Sequence, residues 1–190
     1  MNRTICVYSS SSQKLDPLYY SLAEELGRRI AIGGDTLVFG AGMVGTMGAT
    51  ARGVKSMGGR IIGIIPEALN KKGIVYEECD ELIVTPEMRS RKKLLDERSD
   101  VLIALPGGFG TLEELLEVIT SKQLGYHTKP IVIFDPNGFY TDLLKQFEVF
   151  FEQNFANRSF ATLYHVATTI DGIFEYIDNY TPHKVKDKWQ

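Results

Sequence analysis

Short apolar runs alternate along the chain with longer segments in which apolar residues recur at helical spacing. The short runs are rich in β-branched and aromatic residues, which is typical of buried strands. They cover residues 3–8, 36–39, 60–65, 81–84, 101–105, 130–134 and 163–168. The segments between them predict helices over residues 17–32, 49–57, 88–95, 112–124, 139–151 and 170–180. This alternation predicts an α/β fold, a doubly wound and mostly parallel sheet with helices on both faces.

The pattern corresponds to one Rossmann-like domain over residues 1–180 and a polar tail over residues 181–190. A chain of 190 residues is long enough for one sizeable core and short for two. No apolar run approaches the roughly 20 residues that span a bilayer, and the first strand starts without a leader sequence. Cys6 and Cys79 fit reduced thiols better than a disulfide. We therefore expect a cytoplasmic protein.

Charge and histidine spacing narrow the possible partners. The net charge of -3 and the pI near 5.7 give no overall attraction to nucleic acid or to an anionic membrane. Neither is therefore expected as a partner. The histidines lie far apart without the spacing of metal ligands, so no metal is expected either; they are His127, His165 and His183.

The segment Pro106–Glu114 joins a predicted strand to a predicted helix and reads PGGFGTLEE. Its three glycines allow the backbone to approach a ligand closely, and the amides at a helix N-terminus favour negative charge. Glu114 follows Thr111 by three residues and so puts a carboxylate at the edge of this anion site. The same spacing is that of a capping box, in which Thr111 and Glu114 satisfy backbone amides. The residues alone leave both interpretations open.

Two further loops at strand ends carry groups that suit phosphate or ribose. Ser9–Ser12 follows the first strand, although serines are also common in ordinary loops. Gly40–Gly45 follows the second strand and reads Gly-x-Gly-x-x-Gly, with Glu67 about 20 residues beyond. This spacing is that of a dinucleotide fingerprint, but such a fingerprint normally follows the first strand of its unit. A tight turn or a phosphate and ribose site remain alternatives.

Arg91 and Lys92 lie in the predicted helix that follows the fourth predicted strand. They flank the apolar stripe that Met88 and Leu95 form on this helix. A guanidinium beside an apolar stripe needs a carboxylate or phosphate partner, although surface salt bridging is an alternative. Together with the three loops, the pair predicts a small phosphorylated ligand. The chain has no Walker motif and no Gly-x-Ser-x-Gly elbow, so phosphoryl and acyl transfer are not favoured.

Two motifs resemble the signature of the LONELY GUY (LOG) family of cytokinin riboside 5′-monophosphate phosphoribohydrolases. They are Met-x-x-Arg-Lys, from Met88 to Lys92, and Pro-Gly-Gly-x-Gly-Thr-x-x-Glu, from Pro106 to Glu114. The resemblance continues in uniform order from residue 5 to residue 125. Some relatives carry the label lysine decarboxylase, but the chain has no recognisable pyridoxal phosphate site. We therefore expect a single LOG-type domain.

The resemblance implies hydrolysis of the N-glycosidic bond of adenosine 5′-monophosphates, with or without an N6 substituent, to free base and ribose 5-phosphate. It implies that Arg91 and Glu114 are catalytic, that no cofactor takes part and that the protein is a homodimer. The predicted substrate-binding residues are Ser11, Ser12, Gly42, Gly45, Met88, Lys92, Gly107, Gly108, Phe109, Gly110, Thr111, Leu112, Glu113 and Thr120.

Three positions depart from the family pattern and leave the base preference open. Arg89 stands where a histidine is usual, Ala41 replaces a glycine, and Gly73 stands where plant members place a glutamate that contacts substrate. Two other functions remain alternatives. One is a non-catalytic carrier of a nucleotide or another phosphorylated ligand, using the same loops. The other is an NAD-dependent oxidoreductase that uses Gly40–Gly45 and Glu67.

Overall fold

The computed structural model of the chain describes residues 2–183 and centres on a sheet of seven strands. The strands are β1 Thr4–Tyr8, β2 Thr36–Phe39, β3 Arg60–Pro66, β4 Glu81–Thr85, β5 Val101–Ala104, β6 Ile131–Phe134 and β7 His165–Ala167. They lie in the order β4-β3-β2-β1-β5-β6-β7, and every neighbouring pair is parallel. The predicted α/β class is therefore confirmed.

Six helices cover the two faces of the sheet. They are α1 Pro17–Ile32, α2 Gly45–Ser56, α3 Met88–Glu97, α4 Phe109–Gln123, α5 Thr141–Glu152 and α6 Ile170–Asp178. Buried residues of α1, α2 and α6 form one core layer, and those of α3, α4 and α5 form the other. Strand β1 supplies both layers, because Ile5 and Val7 face the first and Cys6 and Tyr8 the second. Burying each such side chain contributes about 1.5–3 kcal/mol.

The strand order fixes where a ligand can bind. The chain moves outward from β1 to β4 on one side and then returns through β5 on the other side of β1. The loops that leave β1 and β5 therefore diverge, and the crevice between them is the usual binding site of doubly wound sheets. The serine loop after β1 and the glycine loop after β5 border this crevice.

Helix α2 begins at Gly45, four residues before the predicted start. Its first turn is rich in glycine and carries no apolar periodicity, so the sequence pattern misses it. A side chain at Gly48 would overlap the Met43 carbonyl, and one at Gly53 would overlap the backbone of Glu24. These glycines therefore allow α2 to pack closely against its own preceding loop and against α1.

One position of the predicted apolar stripe is exposed. Met88 is 46% exposed, so the stripe predicted for its helix is wrong at this residue. On α3 the buried residues are Leu95 and Arg91 instead. A helical wheel gives the direction of a side chain but not which neighbour it packs against. Here Met88 lines the cavity at the carboxyl ends of the strands and therefore stays exposed.

The end of the predicted domain lies near the end of the last helix. Residues 181–183 of the predicted polar tail have neither helix nor strand, and residues 184–190 lie outside the described residues. Within residues 2–183, no helix has the length and apolar character that crossing a membrane would require.

Candidate active site

A cavity of about 410 Å³ opens at the carboxyl ends of the strands, where the three predicted loops meet. Ten of the predicted site residues line it: Ser11, Gly42, Met88, Arg91, Lys92, Gly108, Gly110, Thr111, Glu113 and Glu114. The other six lie outside its lining in the described chain: Ser12, Gly45, Gly107, Phe109, Leu112 and Thr120. Of these, Gly107 packs against Thr111, Gly45 lies under Ser10 and Ser11, and Phe109 is 95% exposed. The structure thus brings most of the predicted site together.

The charged centre of the cavity is a buried ion pair between Arg91 on α3 and Glu114 on α4. Arg91 Nη1 lies 2.8 Å from Glu114 Oε1, and the two side chains are only 9% and 11% exposed. Arg91 Nε also donates to the carbonyl of Ile64 at the end of β3, at 3.2 Å. A side chain at Gly40 would overlap Arg91 Nη2, so glycine at this position leaves room for the guanidinium. Strand β3, the loop after β2 and Glu114 together fix its orientation.

Burial raises the pKa of Glu114 above the usual glutamate range, and Arg91 offsets only part of this effect. A carboxylate in this position accepts a proton more readily than one in water. It also carries a charge that a developing cation nearby would stabilise. A group with this balance suits acid-base or electrostatic work on a bound substrate.

Glu114 does not take part in a capping box. Helix α4 begins at Phe109, its N-cap residue is Gly108, and no side chain caps it. Thr111 therefore lies inside the first turn, and Glu114 reaches Arg91 instead of a backbone amide. The capping alternative is wrong because the helix starts three residues earlier than the Thr-x-x-Glu spacing suggests.

The start of α4 has the properties of an anion site. The first amides of a helix have no partner within the helix, and here they adjoin the cavity. Apart from chain neighbours and the helix's own backbone, no atom of residues 2–183 lies within 4 Å of where a side chain at Gly108 or Gly110 would stand. The fold therefore does not need glycine at these two positions for packing, and the open space is available to a ligand.

Lys92 lies at the rim of the cavity and joins α3 to α4. Its ammonium lies 2.7 Å from Glu113 Oε1 and 2.8 Å from Glu117 Oε2. Hydrogen bonds to Glu113 and Glu117 raise the pKa of Lys92, so it is charged at neutral pH. In this arrangement the lysine holds two acidic side chains and stands next to the predicted anion site.

One wall of the cavity is apolar and was not predicted. Leu69 and Ile74, from the segment after β3, line it together with Met47 and Ile65. The segment is largely irregular, and backbone hydrogen bonds join it to the glycine loop after β2. Met43 N donates to the Ile74 carbonyl at 2.9 Å, and Gly42 pairs with residue 75. Nothing in the local sequence of an irregular segment indicates which side chains will face a cavity.

Ser9 belongs to the predicted serine loop but was not among the predicted substrate-binding residues. It lines the cavity, and its hydroxyl oxygen is buried without a hydrogen-bond partner among the described residues. The loop after β2 contains one of the departures from the family pattern. Ala41 adopts a φ of 54°, a conformation that glycine adopts freely and that costs alanine about 1–2 kcal/mol.

The dinucleotide alternative finds little support in this geometry. Glu67 is exposed in a short 3₁₀ turn, Glu67–Leu69, and lies outside the lining of the cavity. The fingerprint requires the glycine loop and the acidic residue to border one dinucleotide site, and Glu67 does not border the cavity next to Gly40–Gly45.

Comparison with known proteins identifies close sequence relatives. A family model described as "Possible lysine decarboxylase" matches residues 47–177. A probable cytokinin riboside 5′-monophosphate phosphoribohydrolase of Oryza sativa subsp. japonica is 38% identical over 190 residues, which cover 99% of this chain and 76% of the relative. A cytokinin riboside 5′-monophosphate phosphoribohydrolase of Arabidopsis thaliana is 37% identical over 180 residues, covering 95% and 84%.

Solved structures share the same fold. The molybdenum cofactor binding protein of Rippkaea orientalis matches with a TM-score of 0.71 and 26% identity, covering 94% of this chain and 96% of that one. The molybdenum cofactor carrier protein of Chlamydomonas reinhardtii matches with a TM-score of 0.72 and 25% identity, covering 94% and 97%. The sequence relatives are thus enzymes, whereas these structural matches are cofactor-binding proteins.

Proposed function

The chain belongs to the LOG family of cytokinin riboside 5′-monophosphate phosphoribohydrolases, and we propose that it hydrolyses adenosine 5′-monophosphates, with or without an N6 substituent. The products are the free base and ribose 5-phosphate. The observation that carries this proposal is the buried Arg91–Glu114 pair, which lies in one cavity with the N-terminus of α4. No redox or electrophilic cofactor is needed for this hydrolysis.

The phosphate of the substrate binds at the start of α4. The open glycines Gly108 and Gly110 allow close approach of its oxygens to the backbone, and the amides of the first turn donate to them. Ser11 and Gly42 line the same cavity and are placed to contact the sugar. The apolar wall formed by Leu69 and Ile74 suits the base.

Glu114 is the carboxylate that acts at the sugar. Breaking the bond between C1′ and the base gives the ribose oxocarbenium character, which a nearby carboxylate stabilises. The same group can take a proton from the attacking water. Arg91 holds one oxygen of the carboxylate and keeps it ionised in a buried position. The pair therefore has distinct roles, with Glu114 facing the sugar and Arg91 fixing Glu114.

A non-catalytic carrier is the second candidate, because both solved structures named above bind or carry a cofactor. Two observations favour the hydrolase. The sequence identity to the phosphoribohydrolases is higher, at 37–38%. In addition, a buried carboxylate in an anion-binding cavity repels a phosphorylated ligand and raises the cost of binding it. A carrier gains nothing from such a group, whereas a hydrolase uses it at the sugar.

The first test is the assay of purified protein with AMP and with N6-isopentenyl-AMP, without added cofactor. We expect release of free base and ribose 5-phosphate. Glu114→Gln preserves the size of the side chain and removes its charge, and it should lower kcat by at least about 100-fold. The variant should still bind AMP, because the phosphate site is intact.

Glu97→Gln provides the matched control, since Glu97 is an exposed glutamate of α3 outside both the cavity and the Arg91 pair. It should retain the wild-type rate. Tight binding of AMP without release of base from either nucleotide would instead support the carrier.

We also propose that the protein is a homodimer in the cytoplasm. The exposed Phe109 and Met88 beside the cavity support a subunit contact near the site, because large apolar side chains are rarely left together in water. Light scattering of the purified protein measures its mass and distinguishes monomer from dimer. Free Cys6 and Cys79 fit a reducing compartment, which cell fractionation tests directly.

A further inference from the structure

A second cavity of about 290 Å³ lies between α3 and α4. Its lining includes Tyr8 at the end of β1, Asp96 on α3, and Glu114, Val118 and Ser121 on α4. We call it the interhelical cavity. None of its lining residues comes from the serine loop or from either glycine loop of the described chain. Glu114 and Lys92 line both this cavity and the larger one, so these two residues lie between the two spaces.

Lys92, Lys93 and Glu117 also line the interhelical cavity, but both lysines are already paired with carboxylates, so the lining suits water rather than a phosphate. Lys92 binds Glu113 and Glu117, and Lys93 lies 3.7 Å from Glu97. Hydroxyl groups come from Tyr8 and Ser121, and Asp96 adds a carboxylate that Lys129 balances at 2.7 Å. No group of three potential metal ligands occurs among residues 2–183. Since a water molecule takes about 30 Å³ in the liquid, the space has room for several. Polar partners and sufficient volume are the two conditions for a stably hydrated cavity.

The two oxygens of Glu114 differ in their surroundings. Oε1 accepts the hydrogen bond from Arg91. Oε2 has no such partner within residues 2–183, yet it is not among the buried atoms that lack one, so it is open to a cavity. A water molecule is the natural partner for an exposed carboxylate oxygen.

Hydrolysis needs a water molecule after the nucleotide has filled the larger cavity. In the net reaction the bond from C1′ to the base breaks, its electron pair goes to the base nitrogen, and a water oxygen bonds to C1′. One proton of that water ends on the base, with Glu114 as the carrier, and the other stays on the new hydroxyl. A bound nucleotide excludes bulk water from its own side. The reacting water must therefore reach the sugar by another route.

We propose that the interhelical cavity stores this water and supplies it to Glu114. The inference rests on the proposed hydrolase function and adds a role for residues that do not contact the nucleotide. Tyr8, Asp96 and Ser121 hold the waters, and Glu114 is the point at which one of them meets the substrate. Ser121 acts as a positioning residue for water rather than as a catalytic residue.

Filling the cavity tests the proposal. Ser121→Leu places a larger apolar side chain in the space and removes one hydroxyl. We expect kcat with AMP to fall by about tenfold or more, while KM and the melting temperature stay at the wild-type values. Ser121→Val, with a smaller side chain, should give an intermediate rate. Ser21→Leu is the matched control, because Ser21 is exposed on α1 and outside both cavities.

The outcomes separate this proposal from the proposed function. If the wild-type protein releases no base, the hydrolase function itself is wrong. If the wild type is active and folded Ser121→Leu keeps full kcat, the water supply is wrong and the function stands. A raised KM at unchanged kcat would also overturn the proposal, because the cavity would then belong to the nucleotide site. If Ser121→Leu does not fold, Ser121→Val decides by the same criteria.

Discussion

Two ion pairs connect α3 to α4 one residue apart, and they differ in burial rather than in distance. Arg91 lies 2.8 Å from Glu114, and Lys92 lies 2.7 Å from Glu113. The side chains of the first pair are 9% and 11% exposed, whereas those of the second are 15% and 61% exposed. Lys92 also has a second partner in Glu117. Equal distances therefore accompany very different surroundings.

This difference in burial indicates that the Arg91–Glu114 pair has a role in the active site, whereas the Lys92–Glu113 pair is an ordinary surface ion pair. A buried pair has lost most of its hydration, so each charge depends on the other. An exposed pair retains water as an alternative partner and contributes about 0–1 kcal/mol. The pKa directions agree with this distinction. Burial dominates at Glu114 and raises its pKa, whereas hydrogen bonds to Glu113 and Glu117 dominate at Lys92.

The largest expected effect comes from removing the buried cation. Arg91→Met keeps a long side chain but leaves the Glu114 carboxylate without its charged partner. Breaking one side of a buried pair costs about 3–5 kcal/mol. We expect a loss of this order in the free energy of unfolding at neutral pH, measured with denaturant. The hydrolytic rate should fall together with it, because the Glu114 carboxylate loses its orientation and the loss of Arg91 raises its pKa further.

A second substitution checks whether the cost lies in the unpaired carboxylate. Adding Glu114→Gln to Arg91→Met removes the uncompensated charge and should restore part of the lost stability. Activity should remain absent in the double variant. A simple sum of the two single effects on stability would mean that the residues do not interact, and the comparison between the two pairs would then fail.

Much of the fold follows from the sequence, because buried parallel strands are near-continuous apolar runs. Strand β2, predicted over residues 36–39, has these bounds in the structure, and α1 starts at Pro17, as predicted. The start of α2 was missed because its first turn is rich in glycine and carries no apolar periodicity. Steric demands from packing, rather than periodicity, fix its position.

The candidate site was predictable where it rests on motifs and less so where it rests on tertiary contacts. The motifs identify Arg91 and Glu114 separately in the sequence. Their contact depends on α3 and α4 lying side by side, which the motifs do not show. No local pattern identified Leu69 or Ile74, which line the cavity through loop conformation. Burial also separates Arg91 from Lys92, which the helical wheel treated as equivalent flanks of one stripe.

The pH dependence of catalysis gives a smaller effect that distinguishes the two pairs. Burial raises the pKa of Glu114, so the acid limb of kcat/KM should lie above the usual glutamate range. Activity falls as the pH drops through this raised pKa, because the carboxylate becomes protonated. Arg91→Met should move the limb further up. Lys92→Met should leave it nearly in place, since Lys92 is a minor influence on Glu114.

The contribution of Glu114 to stability changes with pH in the opposite direction to its contribution to catalysis. Its pKa is higher in the folded than in the unfolded chain, so the folded state binds its proton more tightly. The contribution is present in full below the unfolded pKa and is lost as the pH rises through the folded pKa. Denaturant unfolding of wild type and Glu114→Gln across this window should therefore converge at low pH. Divergence in the other direction would contradict the raised pKa.

The smallest expected effect comes from the exposed pair. Lys92→Met leaves Glu113 and Glu117 in water, where they regain hydration, so the free energy of unfolding should change by less than about 1 kcal/mol. Loss of a cation beside the phosphate site should raise KM by less than about tenfold, with kcat unchanged. Because exposed charges are screened by salt, the difference in KM between wild type and variant should shrink at high ionic strength. Arg91→Met should show no such salt dependence, since its charges are buried. A loss of several kcal/mol in Lys92→Met would mean that α3 and α4 depend on the surface pair as much as on the buried one.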